Sequence, residues 1–354
     1  MNSRSILTTL GLCVIAGIGG YLASFTLLPL PYMLGALLTS GAIALFQEDR
    51  LPREYQFPQR FRLIFMALVG VMIGAQVTPD LIGQLPGLTL SLVALTAFTL
   101  LAQLGNYLMF RHVGGYDRTT ALFAGAPGGL LESLAMGEER GADLQLLTMQ
   151  QFLRIILVIS LLPMGLSLWY GTPLGSAAGA SSAPQDIAPL TIVLAVCVGL
   201  LGTVAGRFLR LPAGQLTGPL LAAAIVTVSG LAPLALPDWM INMAQVVIGA
   251  SLGLRFKGLR GHAMIRALWL SGLSVAWMLG LGLALSLGVG AWTGLRFDIL
   301  LLSYAPGGVT EMALVALSLN ANPALVTLHH VYRIFVTVLA MGAFARWLLG
   351  PQNR

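Results

Sequence analysis

Long apolar runs recur along nearly the whole chain, and short links between them hold most of the charges. A helix needs roughly 20 apolar residues to cross the hydrocarbon core of a bilayer, so each run predicts a membrane helix. In the first half the runs fall at 5–28, 30–46, 61–78, 87–110, 119–136 and 144–170. In the second half they fall at 189–206, 213–234, 239–254, 264–290, 297–318 and 323–349. Between the halves, 171-GTPLGSAAGASSAPQDIAP-189 is rich in Gly, Ala, Ser and Pro and reads as a linker. The predicted organisation is a membrane repeat over 1–170, a linker over 171–188 and a second membrane repeat over 189–354. The fold class is all-α and polytopic.

The repeat is visible in the residues. 126-APGGLLESLAMGEERGADLQLLTMQQFLR-154 aligns without a gap on 305-APGGVTEMALVALSLNANPALVTLHHVYR-333 at a constant offset of 179, with nine of 29 positions identical. The identities include the Ala-Pro-Gly-Gly runs, Glu132 with Glu311, Thr148 with Thr327, and Arg154 with Arg333. Arg4 before an apolar stretch has the form of a signal peptide, but a matching segment opens the second half, which makes the first one part of the fold.

Composition agrees with this reading: 57% of the 354 residues are hydrophobic and 9% charged, against about 25% charged in a soluble domain. The net charge of +6 comes from basic residues scattered over short links, which is a membrane-orientation signal and not a nucleic-acid footprint. The charges also choose a topology. With the N-terminus inside and the fifth segment of each half entering and returning on its own side, 16 of the 19 basic residues face inward. Arg296 alone faces outward, and Arg154 and Arg333 lie within the membrane. That gives about ten crossings plus two re-entrant or broken helices. Five crossings per half is an odd number, so the second repeat is expected to be inverted, as in many secondary transporters. Both termini are then cytoplasmic and the bilayer is a partner in its own right.

Pro127-Gly128-Gly129 and Pro306-Gly307-Gly308 interrupt two of these helices. Proline removes a donor and the glycines tolerate tight bends, so helix ends are exposed where a small solute or ion can bind. Glu132 and Glu311 follow five residues past each proline. Intramembrane carboxylates need a partner, and Arg154 and Arg333 are the expected ones. Such pairs either pin the bend structurally or bind substrate or a coupling cation. Surplus guanidinium donors would suit an anion. The halves differ where Gln150-Gln151 becomes His329-His330, which suits proton coupling or helix–helix hydrogen bonding, and where Tyr304 replaces Gly125. Asn106, Gln76, Asn242 and Gln245 are further polar positions inside predicted helices, and Asn242 with Gln245 would share one helix face. Cys13 and Cys197 sit in apolar segments, and Walker A, nucleophile-elbow and HExxH patterns are missing, so no cofactor, metal or enzyme chemistry is expected.

The tandem APGG…E…R pattern resembles the AbrB-type duplicated membrane proteins of Gram-negative bacteria, over nearly the whole chain. The matching residues are Ala126–Gly129, Glu132 and Arg154, with Ala305–Gly308, Glu311, His329, His330 and Arg333. The resemblance implies a multi-pass protein of the bacterial inner membrane. Members carry the labels AbrB regulator or ammonia monooxygenase, which would imply a role in gene expression or oxidation. The residues show no helix-turn-helix, no DNA-binding domain and no copper or iron ligand cluster. They point instead to a secondary transporter for a small anionic solute driven by protons or sodium. The alternative is a membrane sensor that influences gene expression without binding nucleic acid directly, and a homodimer is compatible with either.

Overall fold

The computed structural model describes residues 3–26, 28, 30–47, 49, 51–52, 55–77, 88–171, 187–209, 211, 213–257, 262–319 and 321–350. Most of the predicted linker, 172–186, and the link 78–86 lie outside the described residues. Those described form fourteen α-helices: α1 (Ser3–Ala23), α2 (Pro31–Phe46), α3 (Gln59–Gly74), α4 (Thr89–Leu108), α5 (Arg118–Ala124), α6 (Leu130–Glu139), α7 (Leu144–Tyr170), α8 (Pro189–Phe208), α9 (Gly214–Val228), α10 (Asp238–Gly253), α11 (His262–Thr293), α12 (Phe297–Tyr304), α13 (Val309–Ser318) and α14 (Pro323–Leu349). A π-turn, Met109–Val113, extends α4, and a 3-10 turn, Leu254–Phe256, follows α10.

Six helical stretches are long and apolar enough to cross a membrane: Ser5–Ala23, Thr89–Val113, Leu144–Tyr170, Pro189–Phe208, Met264–Thr293 and Pro323–Leu349. Their outward residues include Leu7, Leu201, Phe208 and Trp292, all at least 70% exposed, a pattern that suits lipid and not water. The other four predicted crossings, α2, α3, α9 and α10, have only 15 or 16 residues. At about 1.5 Å per residue they span roughly 22–24 Å, short of a core about 30 Å thick.

Helix boundaries repeat at the sequence offset. Adding 179 to Gln59–Gly74 gives Asp238–Gly253, to Leu130–Glu139 gives Val309–Ser318, and to Leu144–Tyr170 gives Pro323–Leu349, each coinciding with an observed helix. Three pairs of helices therefore share their bounds at that offset. The repeats do not coincide with the compact units. One unit takes Met1–Ile82, Pro163–Arg260 and Ala313–Ala324, and the other takes Gly83–Leu162, Gly261–Met312 and Leu325–Arg354. Each unit is thus assembled from both sequence repeats.

In the first unit the helix contacts come in exchanged pairs. α1 packs on α2 as α8 packs on α9; α2 packs on α10 as α9 packs on α3; α3 meets α8 as α10 meets α1. Glycines set the closeness. A Cβ on Gly70 would lie 2.5 Å from the Leu216 carbonyl oxygen, and one on Gly249 would lie 2.2 Å from that of Met33. Both distances are far inside normal contact, so the backbones approach as only glycine allows. Even the strained residues match: Leu30 and Ala213, left-handed at φ 46° and 49°, are the N-caps of α2 and α9.

In the second unit α4 packs on α11 and α5, while α12 packs on α11. Its core gathers Phe110, Tyr116, Phe123, Leu147, Leu270 and Met341. The two interrupted helices, α5–α6 and α12–α13 up to Met312, belong here with the functional candidates.

Candidate functional site at two broken helices

Each predicted break is present. α5 ends at Ala124 and α6 begins at Leu130; α12 ends at Tyr304 and α13 begins at Val309. Pro127 and Pro306 are buried inside the breaks. Gly129 takes φ 62° as the N-cap of α6, a left-handed conformation that glycine adopts without penalty. Asp117 starts α5, its carboxylate accepting from the Thr119 and Thr120 amides, both at 2.9 Å. Burial pushes that carboxyl up, but the Thr120 hydroxyl and the amides more than offset it and hold its pKa below the usual range.

A helix that stops inside apolar surroundings leaves carbonyls without partners, and each must be satisfied internally. At the first break five consecutive carbonyls are served by side chains. Gln103 Nε2 donates to Leu122 O at 2.7 Å, and Asn106 Nδ2 donates to Gly125 O at 2.9 Å. Ser133 Oγ and Gln151 Nε2 donate to Phe123 O, and Gln151 Nε2 also reaches Ala124 O at 3.2 Å. Arg154 Nη1 donates to Ala126 O. The second break uses the equivalent positions with different chemistry. His330 Nε2 donates to Leu302 O at 2.9 Å, where Gln151 serves Phe123 in the first repeat. Arg333 Nη1 donates to Ala305 O, and its Nη2 donates to Gly307 O at 3.0 Å and to His330 Nδ1 at 3.1 Å.

The arginines therefore grip the broken backbone, and their hydrogen bonds do not run to the glutamates. This departs from the expected Glu–Arg pairing, and the reason is geometric. Glu132 and Glu311 lie in the first turns of α6 and α13, three residues after the N-cap glycine. Their carboxylates fold back over that glycine. A Cβ on Gly129 would sit 3.3 Å from Glu132 Oε2, and one on Gly308 would collide with the Glu311 carboxylate. This is the position from which an acid at the third helical residue complements the helix N-terminus.

The two breaks also meet. A Cβ on Gly128 would sit 3.4 Å from both Arg333 Nε and Thr337 Oγ1, so the first break lies against the arginine that holds the second. Arg154 is 5% exposed and Arg333 1%, and the two guanidinium charges repel one another. The Nε of each is buried without a hydrogen-bond partner. Arg296 pairs with Asp298 at 2.5 Å at the start of α12. Both guanidinium groups of Arg154 and Arg333 are thus buried and bonded to backbone carbonyls of the breaks.

Tyr304 and His329 form a second layer beside the second break. Ser91 Oγ on α4 lies 2.8 Å from His329 Nε2 and 3.0 Å from Tyr304 Oη, and Tyr304 Oη donates to the Ser91 carbonyl at 3.2 Å. His329 Nδ1 lies 2.8 Å from Leu325 O. In the first repeat Gln150, the counterpart of His329, bonds instead to Tyr116 Oη at 2.8 Å and to Ser271. Ser91 and Thr337 carried no signal in the sequence, being single small polar residues in apolar helices. Gln245 and Asn242 lie on α10 in the other unit, Gln245 fully buried.

A helical membrane-type chain with two matched helix breaks braced by intramembrane arginines is the class that fold and site define. Residues 32–349 match the family model described as transition state regulatory protein AbrB, and the chain belongs to that family. It is similar to "Uncharacterized protein YhjN" of Bacillus subtilis (strain 168), with 26% identity over 98% of this chain and 94% of that protein. It is also similar to "Putative regulator AbrB" of Escherichia coli (strain K12), with 28% identity over 83% of this chain and 84% of that one.

Proposed function

We propose that the protein is a secondary carrier for a small anionic solute, embedded in the bacterial cell membrane with its two repeats in inverted orientation. The observation that carries this reading is the meeting of the two breaks at Gly128 and Arg333, with two buried guanidinium groups whose Nε donors remain unused. A carboxylate or similar anion would supply both the missing counter-charge and acceptors for those donors. The arginines then have a double role. Their Nη groups hold the bends through backbone carbonyls, and solute takes up the unused Nε donors. The exchanged helix pairs of the first unit support inversion, because a pseudo-two-fold lying in the membrane plane relates inverted repeats. The charge distribution supports it independently.

A second reading, a membrane regulator of gene expression, rests on the name of the E. coli relative. It would require a partner protein bound to the cytoplasmic links. Uptake by purified protein in proteoliposomes separates the two. Labelled acetate, succinate, citrate, phosphate and sulfate should include at least one species whose entry exceeds that into empty vesicles at least tenfold. Arg154→Gln and Arg333→Gln should each abolish that entry. Uptake unchanged in both variants would reject the arginines as the solute site.

A further inference from the structure

The two neighbouring histidines differ in whether they can accept a proton without losing a hydrogen bond. A carbonyl oxygen only accepts, so the contact between His329 Nδ1 and Leu325 O at 2.8 Å puts a proton on Nδ1. The neutral ring then accepts at Nε2 from the Ser91 hydroxyl, 2.8 Å away. For His330 the same logic puts the proton on Nε2, facing Leu302 O, and leaves Nδ1 to accept from Arg333 Nη2. The tautomers of the two rings are opposite.

Consider adding one proton to each. On His330 it must go to Nδ1, where it meets a guanidinium that has donors only. The His330–Arg333 bond is lost and two like charges face each other about 3 Å apart. On His329 the proton goes to Nε2, and the network can reverse. Nε2–H donates to Ser91 Oγ, the Ser91 hydroxyl turns to donate to Tyr304 Oη, and the Tyr304 hydroxyl donates to the Ser91 carbonyl at 3.2 Å. Every donor keeps an acceptor. α4 and α12 present Ser91 and Tyr304 to this ring, and its own helix contributes His330 and Arg333; the remaining charges of the site are Arg154 on α7 and Glu132 and Glu311 at the starts of α6 and α13.

We propose that His329 is the group that takes up and releases the coupling proton of this carrier, with Ser91 and Tyr304 as a reversible hydrogen-bond relay, while His330 stays neutral to position Arg333. The inference rests on the carrier reading. It assigns the driving ion to one side chain and explains why the second repeat alone holds the histidine pair. The charge added on His329 would favour an anion arriving at Arg333 next to it, which couples the two binding events.

Histidine-selective 15N NMR of the protein in nanodiscs tests the assignment. His329 should show the Nδ1–H tautomer at high pH and become doubly protonated as the pH falls towards about 5, earlier when succinate is present. His330 should keep the Nε2–H tautomer throughout. Ser91→Ala, which removes the relay but leaves the ring in place, should shift the His329 transition to lower pH. A His329 that stays neutral over the whole range, or a His330 that protonates first, overturns the proposal. Separately, in proteoliposomes, His329→Gln should remove the pH dependence of uptake while leaving uptake measurable. Wild-type vesicles that take up none of the five anions would reject the carrier reading, and the NMR titration would still decide the proton site.

Discussion

Arg333→Lys and Arg154→Lys keep the buried charge and remove only the planar fork, so they isolate what the guanidinium geometry contributes. Beyond a longer Nη1 bond to Tyr304 O at 3.4 Å, Arg333 uses two nitrogens to hold three closer acceptors, Ala305 O, Gly307 O and His330 Nδ1. An ammonium at the end of a flexible stem is a point donor and cannot span them. It should keep one and lose two. A bond from a charged donor contributes about 1.5–3 kcal/mol in soluble proteins, and interhelical bonds in membranes average nearer 0.6 kcal/mol with a maximum near 1.7 kcal/mol. A loss of about 2–4 kcal/mol follows for Arg333→Lys. Arg154 is recorded donating to one carbonyl, Ala126 O, which an ammonium can also reach, so Arg154→Lys should cost less than about 1 kcal/mol. Unfolding of both variants by SDS titration, followed by tryptophan fluorescence, measures the difference directly. Equal losses, or a larger loss for Arg154→Lys, would refute the claim that Arg333 is the main brace of the second break.

Other expectations concern the fold around the site. Gly70→Ala and Gly249→Ala should each destabilise by roughly 1–3 kcal/mol, because each forces a helix pair apart at a pseudo-equivalent contact, and thermal unfolding in detergent should show similar losses for the two. Asp117→Ala should cost about 1 kcal/mol through loss of the α5 N-cap, read by the same scan. Because the Asp117 carboxyl lies below its unfolded value, its contribution is fully present above the unfolded pKa and disappears as pH falls through the folded one; the wild-type and Asp117→Ala stabilities should therefore converge in acid. Reporter fusions after Arg140 and after Leu319, equivalent positions of the two repeats, should report opposite sides of the membrane. The same side for both would exclude inversion.

Much of this site was legible in the residues, because a proline–glycine break in an apolar run violates the ordinary pattern of a membrane helix. Repetition of the violation at an offset of 179 located both breaks to within a residue or two. The partners of the arginines were not legible. Opposite charges in matching places suggested ion pairs, whereas the cost of bare carbonyls at a broken helix outweighs that attraction and directs each guanidinium to the backbone. Ser91 was invisible for a related reason: its meaning comes only from α4 lying beside Tyr304 and His329, more than 200 residues on. The lengths of α2, α3, α9 and α10, 15 or 16 residues each, were not legible either, since apolar composition does not show where a helix ends. The compact units were hidden as well, because each draws on both repeats while the sequence displays the repeats end to end.

The central claim is that an anion binds where the two breaks meet. Anomalous diffraction from crystals grown with bromoacetate tests it most directly. The account predicts a bromine peak beside Gly128, with the carboxylate within about 3.2 Å of donors on both Arg154 and Arg333. A peak elsewhere in the protein would contradict it.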